Sequence, residues 1–517
     1  MMRRLRLRTA AVLVLPLLLA GLIPGTPART PAAANPSMFD QLVPQPVSVR
    51  PNTAASYRIT AGTVIHSDSA AVGSYLAGIL GLQQSSGAAG GGIDLLLSGA
   101  PASVGAQGYT LDVTRSGIVI RAEQPAGLFA GVQTLRELLP ARSGPWTVPG
   151  GGILDYPRLA YRGAMLDVSR HFFTVADVEQ YIDQLALYKI NYLHLHLTDD
   201  QGWRLAINGW PKLTSIGAST EVGGGSGGFY TQAQYRQIVA YAASRYVTIV
   251  PEIDMPGHFT AALASYSGEL NCDGTSPPVD TGVGVLRNSI CTSSPTAKTF
   301  VDDVISQVAA LTPGPYISIG GDEARGVSPS DYSSFMTWAQ QDVGEYGKTA
   351  IGWDSIVNAT LAPSTVAEYW GATSASAVEA AANKGTRLIM APASHAYLDQ
   401  KYNASTVIGL DWAGYIDMKT AYDWNPTTYL SVPSSAILGI EAPLWTETAS
   451  TFTDLDYLTF PRITAYAELG WSPASTTTAS DAFTDFAARV AAQGPRWNAL
   501  GITYYHSTQI PWNTRNP

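Results

Sequence analysis

Charged side chains are scarce in this sequence, and basic ones are scarcer than acidic ones. Only 14% of the 517 residues are charged, 46% are hydrophobic and the formal net charge is −9. Such a chain can bury a large core and does not have the composition of a disordered protein. Because binding to a phosphate backbone needs clustered Lys and Arg, the composition argues against nucleic acid as a partner.

A long apolar run is also missing. The most apolar stretch, from about Ala10 to Ile23, contains Pro16 and is shorter than the ~20 residues that a membrane-spanning helix needs. A basic start precedes it and small residues follow at Ala32–Ala34, which is the three-part pattern of a secretory signal. We therefore expect a signal peptide over residues 1–34 and a secreted, extracellular protein without membrane contact after signal removal. A permanent membrane anchor is the alternative.

Cysteine is nearly absent. Cys272 and Cys291 are the only two, and they lie in one loop-like region. In an exported protein such a pair most simply forms one disulfide bond. Two buried free thiols are the alternative.

The length predicts two folded domains, since single cores stop growing near ~250–300 residues. Over 38–150, alternating strands with a turn at Ser116–Gly117 give way to a helical pattern near Gly127, which predicts a small α+β domain. The Gly- and Pro-rich segment 141–152 is the predicted boundary. Residues 155–510 form the second predicted domain.

This second domain alternates short apolar strands with amphipathic helices. The helix predicted over 174–190 starts with Thr174 and Asp177 at capping-box spacing. Strand–helix alternation implies parallel strands with right-handed crossovers, and eight such units close into a β/α (TIM) barrel. An open doubly wound sheet is the alternative, but no Gly-rich phosphate loop follows an early strand. The predicted strands cover 163–169, 191–200, 247–258, 316–323, 349–356, 365–371, 387–394 and 437–447.

Each predicted strand begins apolar and ends polar or aromatic. The active site of a β/α barrel lies at these carboxyl ends. Aromatic faces pack on sugar rings, while carboxylates and Arg bind hydroxyls, so this rim predicts a carbohydrate site. Its members are Arg170, Asp199, Asp254, His258, Asp322, Glu323, Trp353, Trp370, Tyr397, Asp399, Trp445 and Glu447.

The adjacent pair Asp322–Glu323 restricts the chemistry. Glycoside hydrolysis commonly uses two carboxyl groups on either side of the scissile bond, whereas neighbouring residues on an extended strand project in different directions. A sugar with a 2-acetamido group removes this difficulty. Its carbonyl oxygen can attack the anomeric carbon, so the enzyme needs one acid and one orienting carboxylate.

A set of motifs on consecutive predicted strands identifies a family. LDVSRHFF, HLHLTDDQGW, PEIDMPGH, GGDEA, GW, YWG, YLD and WTE follow in this order, and together they resemble the family 20 glycoside hydrolases, the β-N-acetylhexosaminidases, of the secreted bacterial type. The resemblance runs from about residue 40 to near the C-terminus. It implies an exo-acting enzyme, without cofactor or metal, that removes terminal non-reducing N-acetylglucosamine or N-acetylgalactosamine from oligosaccharides or glycans, as in chitin degradation. The implied mechanism is retaining and substrate-assisted, through an oxazolinium intermediate.

The resemblance also implies individual roles. Glu323 would be the general acid and later the base, Asp322 would hold the acetamido N–H and stabilise the oxazolinium charge, and Tyr397 would bind the acetamido carbonyl. Asp199 and His258 would tune the acid, with Asp254 close to them. The remaining implied sugar-binding residues are Trp353, Trp370 and Trp445 around the acetamido group, Trp412 as a further wall, and Arg170, Asp399 and Glu447 at the hydroxyls.

Two physical expectations accompany these roles. An acid near neutral pH must hold its proton, so the anion at Asp322 is expected to raise the pKa of Glu323. Gly320 and Gly321 are expected to give the sugar close access to the backbone.

Three other functions fit parts of the pattern. A lacto-N-biosidase of the same family would release a disaccharide instead of one sugar. His194 and His196 on one strand face could ligate the metal of a barrel amidohydrolase, although Trp353 and Trp370 end the strands that should supply further ligands. A non-catalytic sugar-binding protein would have no use for the adjacent acids.

Overall fold

The computed structural model describes residues 37–85, 90–285 and 288–512. The predicted signal peptide over 1–34 lies outside the described residues. The described part contains a mixed sheet followed by a closed parallel barrel. None of the helices in these residues is long and apolar enough to cross a membrane.

The N-terminal domain is a seven-stranded sheet in the order β1-β7-β5-β6-β4-β2-β3, covered by two helices. The predicted turn connects β5 to β6, and a proline opens α2 near the predicted helix start. The strands are β1 (Ser48–Ile59), β2 (Val64–Ser67), β3 (Gln83–Ser85), β4 (Gly92–Leu96), β5 (Tyr109–Val113), β6 (Gly117–Ala122) and β7 (Trp146–Asp155), and the helices are α1 (Ala70–Leu80) and α2 (Pro125–Glu137).

The segment predicted as the domain boundary is a strand. β7 covers most of 141–152 and pairs with both β1 and β5, so it belongs to the N-terminal sheet up to Asp155. Its Gly- and Pro-rich sequence lies opposite a register shift in β1 between Pro51 and Ser56, and such irregular pairing tolerates both residue types. The predicted end of this domain at 150 is therefore too early.

The predicted eight-stranded parallel barrel is confirmed. Its strands close in the order β12-β13-β14-β15-β16-β17-β8-β9. Every strand ends earlier than predicted, and rim residues such as Arg170, Asp322 and Glu447 lie beyond the strand ends. The barrel strands are β8 (Tyr161–Asp167), β9 (Tyr192–His196), β12 (Thr248–Glu252), β13 (Tyr316–Ser318), β14 (Thr349–Trp353), β15 (Val366–Tyr369), β16 (Arg387–Met390) and β17 (Ile437–Leu444), and a small hairpin of β10 (Thr198–Asp199) and β11 (Gly202–Trp203) follows β9.

Helices cover the outside of the barrel. The capping box of Thr174 and Asp177 is present at the start of α3, whose apolar side chains Val178, Tyr181, Ile182 and Leu185 are buried. The helices are α3 (Val175–Leu187), α4 (Lys212–Ser215), α5 (Gln232–Ser244), α6 (Thr260–Ser265), α7 (Ser267–Leu270), α8 (Pro295–Leu311), α9 (Pro329–Glu345), α10 (Ala375–Ala382), α11 (Ala393–Ala396), α12 (Met418–Tyr422), α13 (Phe452–Thr459), α14 (Ile463–Trp471), α15 (Ala474–Thr478), α16 (Ala482–Ala491) and α17 (Gly494–Leu500).

A buried carboxylate joins the two domains. Asp155 accepts hydrogen bonds from Tyr109 Oη at 2.7 Å within the sheet and from Trp471 Nε1 at 2.9 Å on α14. Buried polar groups are stabilising only when their partners are in place, so this residue fixes the sheet against the barrel.

The predicted disulfide is also present. Cys272 and Cys291 are bonded to each other. Val283 and Val285, which lie between them in the sequence, line the cavity described next.

Candidate active site

The adjacent acids lie on a tight turn after β13. Gly320 and Gly321 have φ of 63° and 98°, and Glu323 itself has φ of 42°. A Cβ on Gly320 would overlap the carboxylate of Asp254, and one on Gly321 would lie 2.8 Å from Met336 Cε. The glycines therefore let the backbone turn against Asp254 and α9. Both glycines are buried and neither lines the cavity described next, so the expectation that they open the backbone to the sugar was wrong.

A cavity of about 280 Å³ opens in front of these acids at the carboxyl ends of the barrel strands. It is slightly smaller than the ~300–1,000 Å³ pockets that hold drug-sized ligands, which suits one sugar ring. Among the predicted site residues, Arg170, His258, Asp322, Glu323, Trp370, Tyr397, Asp399, Trp412, Trp445 and Glu447 line it, and Val283, Val285 and Leu410 add apolar walls. Trp353, Asp199 and Asp254 lie behind this lining.

Aromatic rings form one side of the cavity. Trp370 and Tyr397 lie nearly parallel, with centroids 6.4 Å apart, and Trp412 meets Trp370 edge-on at 6.0 Å. Trp353 is 1% exposed and packs beneath Trp445 at 5.7 Å. Trp412 is 56% exposed, so it stands at the rim, whereas the other rings enclose the interior.

The carboxyl groups of Asp399, after β16, and Glu447, after β17, face the same cavity. Burial, together with the charge of Glu447, raises the pKa of Asp399 to about 8. Burial likewise raises the pKa of Glu447, although Arg170 opposes the shift. A pKa of about 8 favours a protonated Asp399 at neutral pH, so this carboxyl can donate a hydrogen bond as well as accept one.

A buried ion-pair network lies beneath the acids. Asp199 is 2.9 Å from Arg170 Nη2, 2.7 Å from His196 Nε2 and 3.2 Å from His258 Nδ1. Burial alone would raise the pKa of Asp199, but Arg170 and His258 hold it well below its usual range. The neighbouring Asp200 accepts a hydrogen bond from Thr260 N at 3.0 Å.

His258 connects this network to the acid pair. Its Nε2 lies 3.5 Å from Asp322 Oδ2 and 3.5 Å from Glu323 Oε2. Burial disfavours the imidazolium, yet Asp199 and Asp322 raise the pKa of His258 well above its usual range. A positive charge therefore lies between the two acids.

The expected rise in the pKa of Glu323 is not found. A hydrogen bond with His258 is the largest effect, and it lowers the pKa of Glu323 although partial burial opposes this. The repulsion from Asp322 acts instead on Asp254, whose pKa burial and then Asp322 raise well above its usual range. The expectation was wrong because the imidazolium of His258 lies between the two acids and stabilises the charged form of Glu323.

Several buried polar atoms around the cavity have no hydrogen-bond partner among the described residues. Native proteins satisfy most such atoms, so their grouping here indicates that a polar ligand completes them. Those that line the cavity include Asp322 Oδ1, Trp370 Nε1, Asp399 Oδ1 and Glu447 Oε2.

Some functional contacts were not predicted. Asp167 Oδ2 is 3.3 Å from Arg170 Nη1, and Gln201 Oε1 accepts from Arg170 Nε at 3.2 Å. Arg325 Nη2 lies 3.5 Å from Glu323 Oε1. Asp167 and Gln201 lie within the motifs quoted above and Arg325 directly follows one of them, but their type alone does not separate them from ordinary rim residues.

Carboxylates and imidazoles also meet in metal-ligand combinations. Among the described residues, four sets have donor atoms within 4.8 Å of one another: His194, Glu368 and Glu441; His196, Asp199 and Asp254; Asp199, Asp200 and His258; and Asp254, His258 and Asp322. Several of these donors already bind each other, as His194 Nδ1 and Glu441 Oε1 do at 2.8 Å. An ion would have to replace those contacts, so the donor atoms fit a hydrogen-bonded network better than a metal site.

Comparison with known proteins agrees with this geometry. The model "Glycosyl hydrolase family 20, catalytic domain" matches residues 159–331 and 328–474, and "Glycosyl hydrolase family 20, domain 2" matches 40–156. A β-N-acetylhexosaminidase of Cellulomonas fimi is 40% identical over 486 residues, which cover 91% of this chain and 97% of that protein.

Solved structures give the same result. The GH20 β-N-acetylhexosaminidase of Streptomyces coelicolor A3(2) superposes with a TM-score of 0.89 at 50% identity, covering 93% of this chain and 100% of that one. A mutant Streptomyces plicatus β-hexosaminidase in complex with its product GlcNAc has a TM-score of 0.89 at 50% identity, covering 93% and 99%.

The glycine turn gives a direct test of the geometry. Gly320→Ala places a Cβ against Asp254 at a positive φ, so it should displace the acid pair. Because a misplacement of about 1 Å can cost ~10²-fold, we expect kcat/KM on a nitrophenyl N-acetylglucosaminide to fall by about that factor or more. Gly344→Ala in α9, where a Cβ meets nothing within 4 Å, is the matched control and should keep normal activity. Full activity of the folded Gly320→Ala protein would contradict the assignment of the turn.

Proposed function

The chain belongs to glycosyl hydrolase family 20 and is a β-N-acetylhexosaminidase, and we propose that it removes terminal non-reducing N-acetylhexosamine units by a retaining, substrate-assisted mechanism. The observation that carries this proposal is that one imidazole nitrogen of His258 lies 3.5 Å from both Asp322 and Glu323. Because both acids lie on one turn and contact the same nitrogen, they lie on the same side of the pocket. They suit an acid and an orienting carboxylate better than an acid and an opposing nucleophile.

Glu323 is the proposed general acid. Its side chain is 29% exposed, so a bound sugar would displace water from it. Desolvation raises a carboxyl pKa, which would offset the lowering by His258 and allow the group to carry a proton in the complex. That proton passes to the glycosidic oxygen as the C1–O bond breaks, while the acetamido carbonyl oxygen of the sugar forms a new bond to C1.

Glu323 then acts as the base in the second step. It removes a proton from a water molecule, whose oxygen attacks C1. The bond between C1 and the acetamido oxygen breaks, the acetamido group is restored, and the product keeps its β configuration after two inversions.

Asp322 and Tyr397 are proposed to hold the acetamido group. Asp322 is 7% exposed and its Oδ1 has no hydrogen-bond partner among the described residues, so it can accept the acetamido N–H and stabilise the cationic oxazolinium. Burial, and then Asp399, raise the pKa of Tyr397 well above its usual range. Its hydroxyl therefore stays protonated and can donate to the acetamido oxygen, while the surrounding rings exclude water.

Arg170, Asp399 and Glu447 are proposed to bind the sugar hydroxyls. Because Asp399 can donate or accept, the pocket is compatible with both N-acetylglucosamine and N-acetylgalactosamine ends of chitin oligomers or glycans. The cavity of about 280 Å³ has room for one ring. This favours release of single sugars over the disaccharide release of a lacto-N-biosidase.

A hydrolysis panel tests the proposed function. The nitrophenyl β-glycosides of N-acetylglucosamine, N-acetylgalactosamine, glucose and lacto-N-biose should be offered to the purified enzyme. We expect cleavage of the first two with retention of configuration, and strong inhibition by a thiazoline mimic of the oxazolinium, as transition-state-like ligands bind far more tightly than substrates. Efficient cleavage of the plain glucoside would contradict the mechanism, because that sugar has no acetamido nucleophile.

Replacing the acid should affect substrates unequally. Glu323→Gln should lower the rate by about 10²–10⁴-fold on chitobiose, whose leaving group needs a proton, and by less on a dinitrophenyl glycoside. Glu269→Gln, at an exposed position on α7, is the control. Equal losses on both substrates, or normal hydrolysis of chitobiose, would remove Glu323 from this role.

We also propose that the protein acts outside the cell, on the basis of the N-terminal sequence pattern. Expression of the full-length chain should release activity into the medium, and deletion of residues 1–34 should retain it inside the cells. Full-length activity that stays in the membrane fraction would instead indicate an anchor.

A further inference from the structure

The interior of the barrel contains ionisable side chains at full burial. Barrel interiors are usually filled by Val, Ile and Leu, and a buried charge destabilises the fold unless it is paired. Here His194 and His196 on β9, Glu252 on β12, Glu368 on β15 and Glu441 on β17 are each at most 1% exposed. None of these five was assigned a role in the mechanism above.

These side chains form a continuous chain that ends at the active site. From the inside outward, the nitrogen–oxygen distances are 2.8 Å from His194 to Glu441, 3.1 Å from His194 to Glu252, 2.5 Å from Glu252 to His196, 2.7 Å from His196 to Asp199 and 3.2 Å from Asp199 to His258. Tyr161 Oη extends it by donating to Glu441 at 2.5 Å. Imidazoles and carboxylates alternate along its whole length.

This alternation determines the charge of the imidazoles. His196 lies between Glu252 and Asp199, with one ring nitrogen facing each. A neutral imidazole has one N–H donor and one lone pair, so only the imidazolium can donate to both carboxylates. Although burial disfavours the charged ring, Glu252 and Asp199 raise the pKa of His196 to about 9.

We propose that His196, Glu252 and His194 are positioning residues for the reaction: they keep Asp199 anchored, and thereby fix His258 between Asp322 and Glu323. This inference rests on the proposed function of those two acids. If His196 lost its proton, a lone pair would face a carboxylate, and Asp199 or Glu252 would have to move or take up a proton. A change at Asp199 would in turn displace His258, which contacts Asp322 and Glu323.

Other charged and polar groups face the chain. Asp167 and Arg170 approach Asp199 from the end of β8, Asp254 lies near it after β12, and Ser318 Oγ donates to Glu252 at 3.2 Å. The rings of Trp353 and Trp445 cover His194 and His196 at 5.8 and 4.9 Å.

Glu368 lies beside the inner part of the chain. Its Oε2 lies 3.8 Å from His194 Nδ1, and neither of its oxygens has a hydrogen-bond partner among the described residues. Burial, and then the charge of Glu441, raise the pKa of Glu368 well above its usual range. A protonated Glu368 avoids a second negative charge beside Glu441.

Glu252→Gln tests the proposal. The glutamine has nearly the same shape, removes the anion and can donate its amide N–H to His196 Nδ1, which favours the neutral imidazole. A dinitrophenyl N-acetylglucosaminide is the substrate, because its leaving group needs no proton and titration of Glu323 does not obscure the result. We expect the alkaline limb of the kcat/KM profile to move to lower pH by about one unit or more.

Two variants separate charge from structure. Glu252→Asp keeps the anion, so it should lower the rate while leaving the alkaline limb near the wild-type position. Asp456→Asn removes a carboxyl that is 2% exposed and bonded to Gln184 Nε2 at 2.7 Å, outside the chain, and it should leave the profile unchanged. A Glu252→Gln profile parallel to that of the wild type would overturn the proposal.

If the Glu252→Gln variant does not fold, the wild-type protein still tests the proposal. The sequence has seven histidines, so ¹⁵N-histidine NMR can follow each ring. His196 should carry two N–H protons at pH 7.5, and a neutral ring there would overturn the proposal. If the wild type cleaves no N-acetylhexosaminide, the proposed function fails, but the charge state of His196 is still measured.

Discussion

The pocket depends on one buried anion, the carboxylate of Asp199. It lies 2.9 Å from Arg170, 2.7 Å from His196 and 3.2 Å from His258, so it connects residues that follow three neighbouring barrel strands. Removing one partner of a buried pair leaves the other charge uncompensated, which is far more unfavourable than losing a surface ion pair. Asp199 therefore positions both Arg170 in the cavity wall and His258 beside the two acids.

The barrel and the rim have different physical tasks. Asp322, Asp399 and Glu447 lie beyond the strand ends, so the ladder gives them a rigid frame, and each has one carboxylate oxygen without a hydrogen-bond partner among the described residues. Such preorganised but unsatisfied groups are the basis of electrostatic stabilisation of a transition state. The N-terminal sheet is attached through Asp155 on the far side from this chemistry.

Much of this organisation could be predicted from local patterns. Alternating strands and helices, with Thr174 and Asp177 capping α3, identify the barrel, and the strand-end motifs identify the residues that the structure brings to the cavity. What failed depended on contacts distant in sequence. β7 looked like a linker because its pairing with β1, including the irregularity opposite its Gly and Pro residues, is not visible locally. The pKa of Glu323 depends on His258, which comes from another strand, and the glycines are required by Asp254.

The turn from Gly320 to Glu323 has a consequence for how this sequence can diverge. A side chain at either glycine would meet Asp254 or Met336, whereas Glu323 keeps its carboxyl at a positive φ that disfavours non-glycine residues by roughly 1–3 kcal/mol. Asp322 is held by its contact with His258. Four successive positions are thus restricted for four separate reasons, so a single substitution at any of them should be unfavourable. Homologues would be expected to replace the turn only as a whole, together with the strand end that carries Asp254.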